Sequence, residues 1–267
     1  MKMTPGLHLF LVGNDKGGAS KSAYAAEARV ACHLERVPCR LVTFDRSTQT
    51  LNEIFRGEGI HPLAKPNGDI LIESFGLQME EAAAAGELII ADMPPGIVDD
   101  DNPILKSIAD SMLLREFTSI SLLIPVSTHN DYVQGAFEAL SAYQKIDLKY
   151  DRGLIRAWRP ESTSPTWDSF PTYSALTDKF PVWECQSYMQ SLSDMMQGRG
   201  KYADYPALDK LPDYYIEHSI KLGYRERTKL TAAVIHLESA RKAIRIHLLD
   251  PLREREVTKS KSPAPSV

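Results

Sequence analysis

Cysteine is scarce in this chain, with three residues among 267, at Cys32, Cys39 and Cys185. No two of them form a Cys-x-x-Cys pair, and no zinc-ligand spacing of cysteine and histidine is present. An odd and sparse count is typical of a reducing compartment and argues against a disulfide framework. We therefore predict that each cysteine is a small, buried apolar residue.

Long apolar segments are also missing. No apolar run approaches the roughly 20 residues that a membrane-spanning helix needs. The chain does not open with a charged segment followed by an apolar one, as a signal peptide would. We therefore expect a cytoplasmic protein.

A strong excess of positive charge is absent as well, because the net charge is -4. With 43% hydrophobic and 25% charged residues, the composition is typical of a soluble globular protein. The charge is unevenly distributed: residues 181–267 contain 14 Lys/Arg and 11 Asp/Glu, whereas residues 1–180 contain 17 and 24. An anionic partner is therefore expected to bind nearer the C-terminal end.

The sequence does contain a regular alternation of short apolar runs and helical patterns up to about residue 160. Strands that are apolar on both faces and alternate with helices are typical of a parallel sheet covered on both sides. We therefore predict a three-layer α/β fold with a mostly parallel sheet and a helical C-terminal extension. Predicted strands cover residues 7–12, 40–44, 69–73, 88–91, 119–126, 153–158 and 181–185, and predicted helices cover 23–34, 77–85, 104–117 and 132–144.

The domain is predicted to span residues 1–252, with its core at 7–160. Residues 159–175 contain three prolines and many hydroxyl side chains, which predicts a lid-like loop beside a ligand site. Residues 176–252 are predicted to be mostly helical, with one long helix over 228–249 that Pro251 ends. Residues 253–267 lack apolar periodicity, so we predict a disordered tail.

A glycine-rich segment at residues 13–22, Gly-Asn-Asp-Lys-Gly-Gly-Ala-Ser-Lys-Ser, lies between the first predicted strand and the first predicted helix. In that context glycines let backbone N–H groups turn around phosphate oxygens, and the helix N-terminus adds its positive end. Lys21 would reach the β- and γ-phosphates, and the Ser22 hydroxyl would hold Mg²⁺. The alternative is an ordinary surface turn.

The run Lys16-Gly17-Gly18-x-x-Lys21-Ser22 resembles the deviant Walker A box of the ParA/MinD family, written KGGxGK[ST]. The resemblance implies the three-layer P-loop NTPase fold and an ATP- or ADP-binding protein that uses Mg²⁺ and forms a nucleotide-dependent homodimer. Lys16 would be the signature lysine, which crosses the dimer interface and neutralises charge on the partner's transferred phosphoryl group. The resemblance also implies nucleotide contacts by Gly17, Gly18, Ala19, Ser20, Lys21 and Ser22.

Two further segments resemble boxes of the same family, so that the resemblance covers residues 8–135. Asp45, after the second predicted strand, would position the attacking water or the Mg²⁺ shell; the alternative is a helix cap. Residues 88–96, Leu-Ile-Ile-Ala-Asp-Met-Pro-Pro-Gly, resemble the Walker B and switch II segment. There Asp92 would hold Mg²⁺ through water, and a turn containing Pro94 and Gly96 would sense the γ-phosphate.

The chain departs from the family pattern at several positions. Ser20 replaces the second glycine of the box, and a Cβ there costs roughly 1–2 kcal/mol if the backbone needs positive φ. The serine hydroxyl could offset part of this by donating to a phosphate. Thr43 stands where many relatives carry an aspartate, and Ala157-Trp158 follow the sixth strand pattern without the usual adenine-binding Asn. ATP hydrolysis is therefore left open.

Two function classes follow. The first is an ATP-dependent dimeric switch, with weak ATPase activity and a partner protein that stimulates turnover, in plasmid partition or cargo positioning. The second is a non-hydrolysing nucleotide-binding adaptor in a partition or conjugation system, which Ser20 favours. Iron–sulfur relatives need cysteines after Walker B, and none lies between Cys39 and Cys185. Kinase relatives carry a tyrosine-rich tail, whereas the last tyrosine here is Tyr224.

Basic side chains near the C-terminus are candidates for non-specific DNA binding. An equally valid interpretation is the solvated face of an amphipathic helix, because acidic residues are interspersed. Membrane binding is not expected, since the tail after Pro251 is too polar. The candidate residues are Arg225, Arg227, Lys229, Arg241, Lys242 and Arg245.

Overall fold

The computed structural model describes residues 6–45, 49–63, 72–96, 113–127, 130–159, 171–186 and 205–253. Seven strands form one sheet, in which every neighbouring pair is parallel. The strands are β1 (Leu7–Val12), β2 (Cys39–Thr43), β3 (Ile60–Pro62), β4 (Leu88–Asp92), β5 (Phe117–Ser127), β6 (Arg152–Arg159) and β7 (Val182–Gln186). Their order is β3-β2-β4-β1-β5-β6-β7, which confirms the predicted α/β fold with a parallel sheet.

Helices cover both faces of the sheet. They are α1 (Lys21–Leu34), α2 (Gln49–Phe55), α3 (Ile72–Ala85), α4 (Asn130–Lys145), α5 (Pro171–Thr177), α6 (Leu211–His218) and α7 (Tyr224–Ile244). Short 3-10 segments lie at Leu113–Glu116, Leu208–Lys210 and Ser219–Lys221, and α7 continues through a π-helical turn at Arg245–Leu249.

The two layers of helices follow from the alternation of side chains along each strand. In β1, Leu9 and Leu11 face a core formed with α3, α4 and α5, whereas Phe10 and Val12 face a core formed with α1, α2, α6 and α7. All six residues of β1 are buried, because this strand lies in the middle of the sheet between β4 and β5. The loop that follows β1 is therefore held at the centre of the carboxyl edge.

Six of the seven predicted strands match observed strands within two residues at each end. The prediction at 69–73 is wrong where it can be compared, because Ile72 and Glu73 open α3 instead; residues 69–71 lie outside the described residues. The helix predicted at 104–117 fails at Phe117, which begins β5, and its residues 104–112 are not described. Neither α2 nor β3 was predicted, because each is too short to show a periodic pattern.

The predicted loop at 159–175 is too long, because α5 begins at Pro171. A proline suits the first turn of a helix, where its missing N–H leaves no bond unmade. Residues 160–170 lie outside the described part of the chain.

Pro251 does not end the last helix, which continues to Arg253. The π-helical turn just before it widens the helix and makes room for the proline ring. Arg253, predicted to begin the tail, contacts Glu35 at 3.4 Å, and residues 254–267 are not described. No helix in the described segments is both long and apolar enough to cross a bilayer.

Candidate nucleotide-binding site

The glycine-rich loop lies where the carboxyl ends of β1, β2 and β4 meet. Val12 and Thr43, which end β1 and β2, each pair in register with Asp92, the last residue of β4. Backbone bonds continue past the strands, since Met93 N–H donates to the Val12 carbonyl at 3.1 Å and Phe44 N–H donates to the Asp92 carbonyl at 2.9 Å. The carboxyl edge of an open α/β sheet is the usual place for a ligand.

Two residues of the loop have left-handed backbones. Gly18 has φ 78°, and Ser20, directly before α1, has φ 63° and ψ 32°. Ala19 between them is buried and lacks positive φ, so the handedness alternates along the loop, as in backbone nests that bind anions. Ser20 therefore has the positive φ at which a Cβ was expected to be costly. Its side chain makes no capping hydrogen bond to α1.

Lys21 points back into the loop. Its Nζ donates to the carbonyl oxygen of Lys16 at 2.9 Å, and the residue is buried. Burial lowers the pKa of Lys21, while the negative charges of Asp92, Asp45 and Asp15 oppose this. A cation is therefore held inside the loop, within reach of several carboxylates.

Ser22 and Asp92 are joined directly. The Ser22 hydroxyl donates to Asp92 Oδ2 at 2.8 Å, and Asp92 is only 1% exposed. Burial raises the pKa of Asp92 to about 7, against the opposing effects of the Ser22 hydroxyl and the Lys21 charge. Its other oxygen, Oδ1, accepts no hydrogen bond of normal geometry from the described residues. Mg²⁺ prefers oxygen ligands. Asp92 Oδ1, which accepts no hydrogen bond of normal geometry, and the neighbouring Ser22 hydroxyl fit this preference.

Asp45 lies close to this pair. It is half-buried, its N–H donates to Thr43 Oγ1 at 3.1 Å, and its charge raises the pKa values of both Asp92 and Lys21. The alternative role as a helix cap stays open, because residues 46–48, directly before α2, lie outside the described residues.

The switch-like segment after β4 contacts the phosphate loop. Gly96, with φ 72°, donates its N–H to the Asp15 carbonyl at 2.8 Å, and the Pro94 side chain is buried. A Cβ placed on Gly17 would lie 4.0 Å from Pro95 Cβ. The predicted site residues are therefore neighbours in space, and their roles remain predictions.

Lys16 lies at the rim of the site, where its side chain is 45% exposed and its Nζ is 3.8 Å from Glu138 Oε2. Sequence reasoning missed what holds the backbone of Lys16. The fully buried Asn14 accepts a hydrogen bond from Lys16 N–H at 2.9 Å, and Gly135 of α4 lies against the same segment. No sequence signal links Asn14 to Gly135, since 121 positions separate these two residues.

At least four of the six candidate DNA-binding residues have partners within the fold. Arg241 donates to Glu35 at 2.7 Å and Arg245 lies 3.9 Å from Glu35, and these two pairs hold α7 against the end of α1. Arg227 donates to the Leu222 carbonyl at 3.3 Å, and the half-buried Lys229 is engaged as well. The Arg225, Arg227 and Lys242 side chains are exposed.

No protein-family model and no curated protein matches the sequence. Solved structures do match its fold over nearly the whole chain. The MinC:MinD cell division protein complex of Aquifex aeolicus aligns with a TM-score of 0.53 and 12% identity, covering 98% of both chains. The structure of pnob8 ParA aligns with a TM-score of 0.51 and 13% identity, covering 94% of this chain and 99% of that one.

A ParA family ATPase from Chlorobium tepidum TLS aligns with a TM-score of 0.50 and 12% identity, covering 88% of this chain and all of the other. At such low identity the likeness concerns the fold. The seven-stranded parallel sheet, the glycine-rich loop after β1 and the helical C-terminal part all agree with it. The chain therefore has the fold of the ParA and MinD ATPases.

Proposed function

We propose that this protein binds ATP with Mg²⁺ in the loop at residues 13–22 and acts as a nucleotide-dependent dimeric switch. The observation that carries the proposal is the buried contact between Ser22 and Asp92, whose second oxygen, Oδ1, accepts no hydrogen bond of normal geometry from the described residues. A carboxylate oxygen is costly to bury without a strong partner, so this oxygen fits a bound Mg²⁺ ion and its water.

The residues of the loop would each change partner on binding. Lys21 would exchange the carbonyl oxygen of Lys16 for phosphate oxygens, since its amine already lies inside the loop. Ser22 would bind Mg²⁺ directly and Asp92 would hold it through water, after losing the proton that burial favours. Bound Mg²⁺ would offset the negative charge of the phosphates. Asp45 would orient the attacking water.

Lys16 supports the dimeric part of the proposal. Its side chain is nearly half exposed, and its contact with Glu138 at 3.8 Å is a long, partly exposed pair. Such a pair contributes at most about 1 kcal/mol, so it restrains the lysine weakly. Lys16 would therefore reach the phosphates held by a second copy, as its resemblance to the signature lysine implies.

The biological role follows by likeness to ParA and MinD proteins. We propose partition of a plasmid or positioning of another cargo, with a partner protein that stimulates turnover. MinD is known in complex with MinC, which makes a protein partner a reasonable expectation here. DNA is the second candidate partner, through the exposed residues Arg225, Arg227 and Lys242.

A non-hydrolysing adaptor is the second candidate function, and Ser20 favours it. Its left-handed backbone places a Cβ in a loop position where the family has glycine. Ser20 directly precedes α1, and if its side chain displaced the γ-phosphate, ATP would bind without being cleaved.

The test measures ATP binding, dimerisation and phosphate release in the wild type, Lys16→Ala and Lys21→Ala. Lys149→Ala is the control, because Lys149 is exposed on the loop between α4 and β6, at the opposite edge of the sheet. Lys21→Ala should weaken binding by at least about tenfold, the loss of roughly one charge-assisted phosphate contact. Lys16→Ala should bind ATP as a monomer but fail to dimerise.

Each outcome separates the candidates. Turnover that is lost in both variants supports the switch, whereas ATP binding without turnover under any condition supports the adaptor. A wild-type protein that binds no nucleotide would contradict both.

A further inference from the structure

The side chain of Asn14 joins three elements at the base of the phosphate loop. It is 0% exposed, and its Nδ2 donates to the Pro125 carbonyl in β5 and to the Tyr132 carbonyl in α4, each at 2.8 Å. Its Oδ1 accepts the N–H of Lys16 at 2.9 Å. Both amide hydrogens are therefore used, and only an amide supplies two donors and an acceptor in this arrangement.

Gly135 lies on the other side of the same segment. Its carbonyl accepts the N–H of Asp15 at 3.1 Å. A Cβ at this position would lie 2.6 Å from Asn14 Oδ1, 2.6 Å from Lys16 Cγ and 3.1 Å from Lys16 N. Glycine is a poor helix former, so its presence inside α4 is explained by this close approach of the loop.

These contacts fix the backbone of residues 14–16 against α4. The effect extends further, because the Lys16 carbonyl accepts the Lys21 amine at 2.9 Å and the Asp15 carbonyl accepts the Gly96 N–H at 2.8 Å. Lys21 would leave the Lys16 carbonyl for the phosphates when nucleotide binds, so in that state the position of Lys16, more than that of Lys21, would depend on how the loop lies against α4.

We propose that Asn14 and Gly135 form a clamp that sets the position of Lys16 for contact with a second copy's nucleotide. They are positioning residues, because they act through the backbone of Lys16 and not on the nucleotide. The inference rests on the proposed function, since it assigns Lys16 to the dimer contact. It also assigns α4 a role that the loop motif by itself does not indicate.

Gly135→Ala tests the clamp, because the added methyl group must displace Lys16 or Asn14. The matched control is Gly76→Ala in α3, where a Cβ would meet only Leu113 Cδ2 at 3.9 Å. Both substitutions remove a glycine from a helix, so they share the gain in helix propensity. Asn14→Asp is a second variant, which keeps the acceptor for Lys16 N–H but cannot donate to the two carbonyls.

Three measurements are compared in the full chain: affinity for a fluorescent ATP analogue, ATP-dependent dimerisation by sedimentation, and hydrogen exchange of residues 13–18. Gly135→Ala should bind the analogue within about threefold of the wild type but weaken dimerisation by about tenfold or more. Without nucleotide, the backbone amides of residues 13–18 should exchange faster in Gly135→Ala than in the wild type. Gly76→Ala should match the wild type in all three.

A double-variant cycle distinguishes positioning from a general loss of structure. If the clamp acts through Lys16, the double variant should dimerise no more weakly than Lys16→Ala alone, compared at protein concentrations high enough to detect the residual dimer. Independent, additive losses would overturn the proposal, as would wild-type dimerisation in Gly135→Ala. If Gly135→Ala does not fold, the same cycle is measured with Asn14→Asp and Lys16→Ala, and its result tests the clamp.

Failure of the proposed function gives a different result. If the wild type binds no ATP analogue, there is no nucleotide for Lys16 to contact in a dimer. This result would reject both the proposed function and the clamp. A wild type that binds and dimerises, with clamp variants that do the same, rejects the clamp and leaves the proposed function standing.

Discussion

At Ser20 a residue with a side chain adopts a left-handed backbone, φ 63°, directly before α1. The same conformation occurs at Arg36, φ 56°, just after the same helix. A Cβ in this region is costly, so both positions would be more stable with glycine. The two residues differ in their location: Ser20 lies in the glycine-rich loop, whereas Arg36 is exposed at the other end of α1.

We predict that Ser20→Gly stabilises the protein by about 1 kcal/mol, raising Tm by about 2–4 °C. It should also increase phosphate release, because the loop regains the family's glycine. Arg36→Gly is the control: it should stabilise to a similar degree and leave phosphate release unchanged. Thermal unfolding and a phosphate-release assay measure the two effects, and unchanged release in Ser20→Gly would count against Ser20 as the limit on hydrolysis.

The raised pKa of Asp92 makes stability depend on pH. Because burial raises this pKa from 3.8 to about 7, the folded protein binds a proton that the unfolded chain has already released between those values. The contribution to stability is therefore complete below about pH 4 and declines as pH rises toward 7. The slope is at most about 1.4 kcal/mol per pH unit.

Asp92→Asn should remove this decline. Without nucleotide, the variant should gain stability relative to the wild type as pH rises from 5 to 8, measured as free energy of unfolding in urea. Taking the difference between the two proteins cancels other titrating groups. A difference that stays constant over this range would contradict the raised pKa.

At the scale of elements, a buried charge network joins α1 to β6 and α7. Glu27 is 0% exposed, and its carboxylate lies 2.7 Å from Arg156 Nε and 2.8 Å from His236 Nε2. Burial by itself would raise the pKa of Glu27, but the charges of Arg156 and His236 outweigh it and lower this pKa to about 2. Trp183 of β7 contacts both Arg156 and His236, with its ring 5.4 Å from that of His236.

Glu27→Ala should destabilise the protein by about 3–5 kcal/mol, because the buried Arg156 would lose its carboxylate partner. Urea unfolding measures the loss. Glu58→Ala, which removes an exposed partner of Lys210, is the control and should leave stability unchanged. The contribution of Glu27 should be complete above pH 4.5 and lost as pH falls toward 2; a small loss in Glu27→Ala would mean that the pair is not desolvated in solution.

At the scale of the whole molecule, the direction of α7 decides where its charges lie. Glu27 contacts His236 and Glu35 contacts Arg241, so residue numbers increase together and α7 runs parallel to α1. Because α1 begins at the glycine-rich loop, the first turn of α7, with Arg225 and Arg227, lies toward the carboxyl edge of the sheet. The exposed cations are thus placed where nucleotide binding and dimerisation would occur.

If DNA is the partner, Arg225→Ala combined with Arg227→Ala should weaken ATP-dependent DNA binding and reduce the salt slope by about 2, one unit for each phosphate contact. Fluorescence anisotropy with duplex DNA over a range of KCl concentrations measures this. Lys149→Ala, at the opposite edge, should have no effect. A wild type that binds no DNA with ATP would direct the search to a protein partner.

Much of the architecture was predictable because its signals are local. β1, the glycine-rich loop and α1 follow one another within 28 residues, and each has its own pattern of apolar and glycine positions. The predictions failed where the signal was short or ambiguous. Ile60–Pro62 is only three residues long, and Pro251 stands after a π-helical turn that no sequence pattern indicated.

The sequence by itself determined the fold class and the position of the glycine-rich loop between β1 and α1, because hydrophobic periodicity and glycine positions act over a few residues. Only the tertiary structure decided which distant residues meet. Asn14 packs against Gly135, and Glu27 is buried with Arg156. In each pair the two residues are more than 100 positions apart in the sequence. Such contacts arise when helices dock on the sheet, and their energies come from desolvation and close approach, neither of which a local pattern contains.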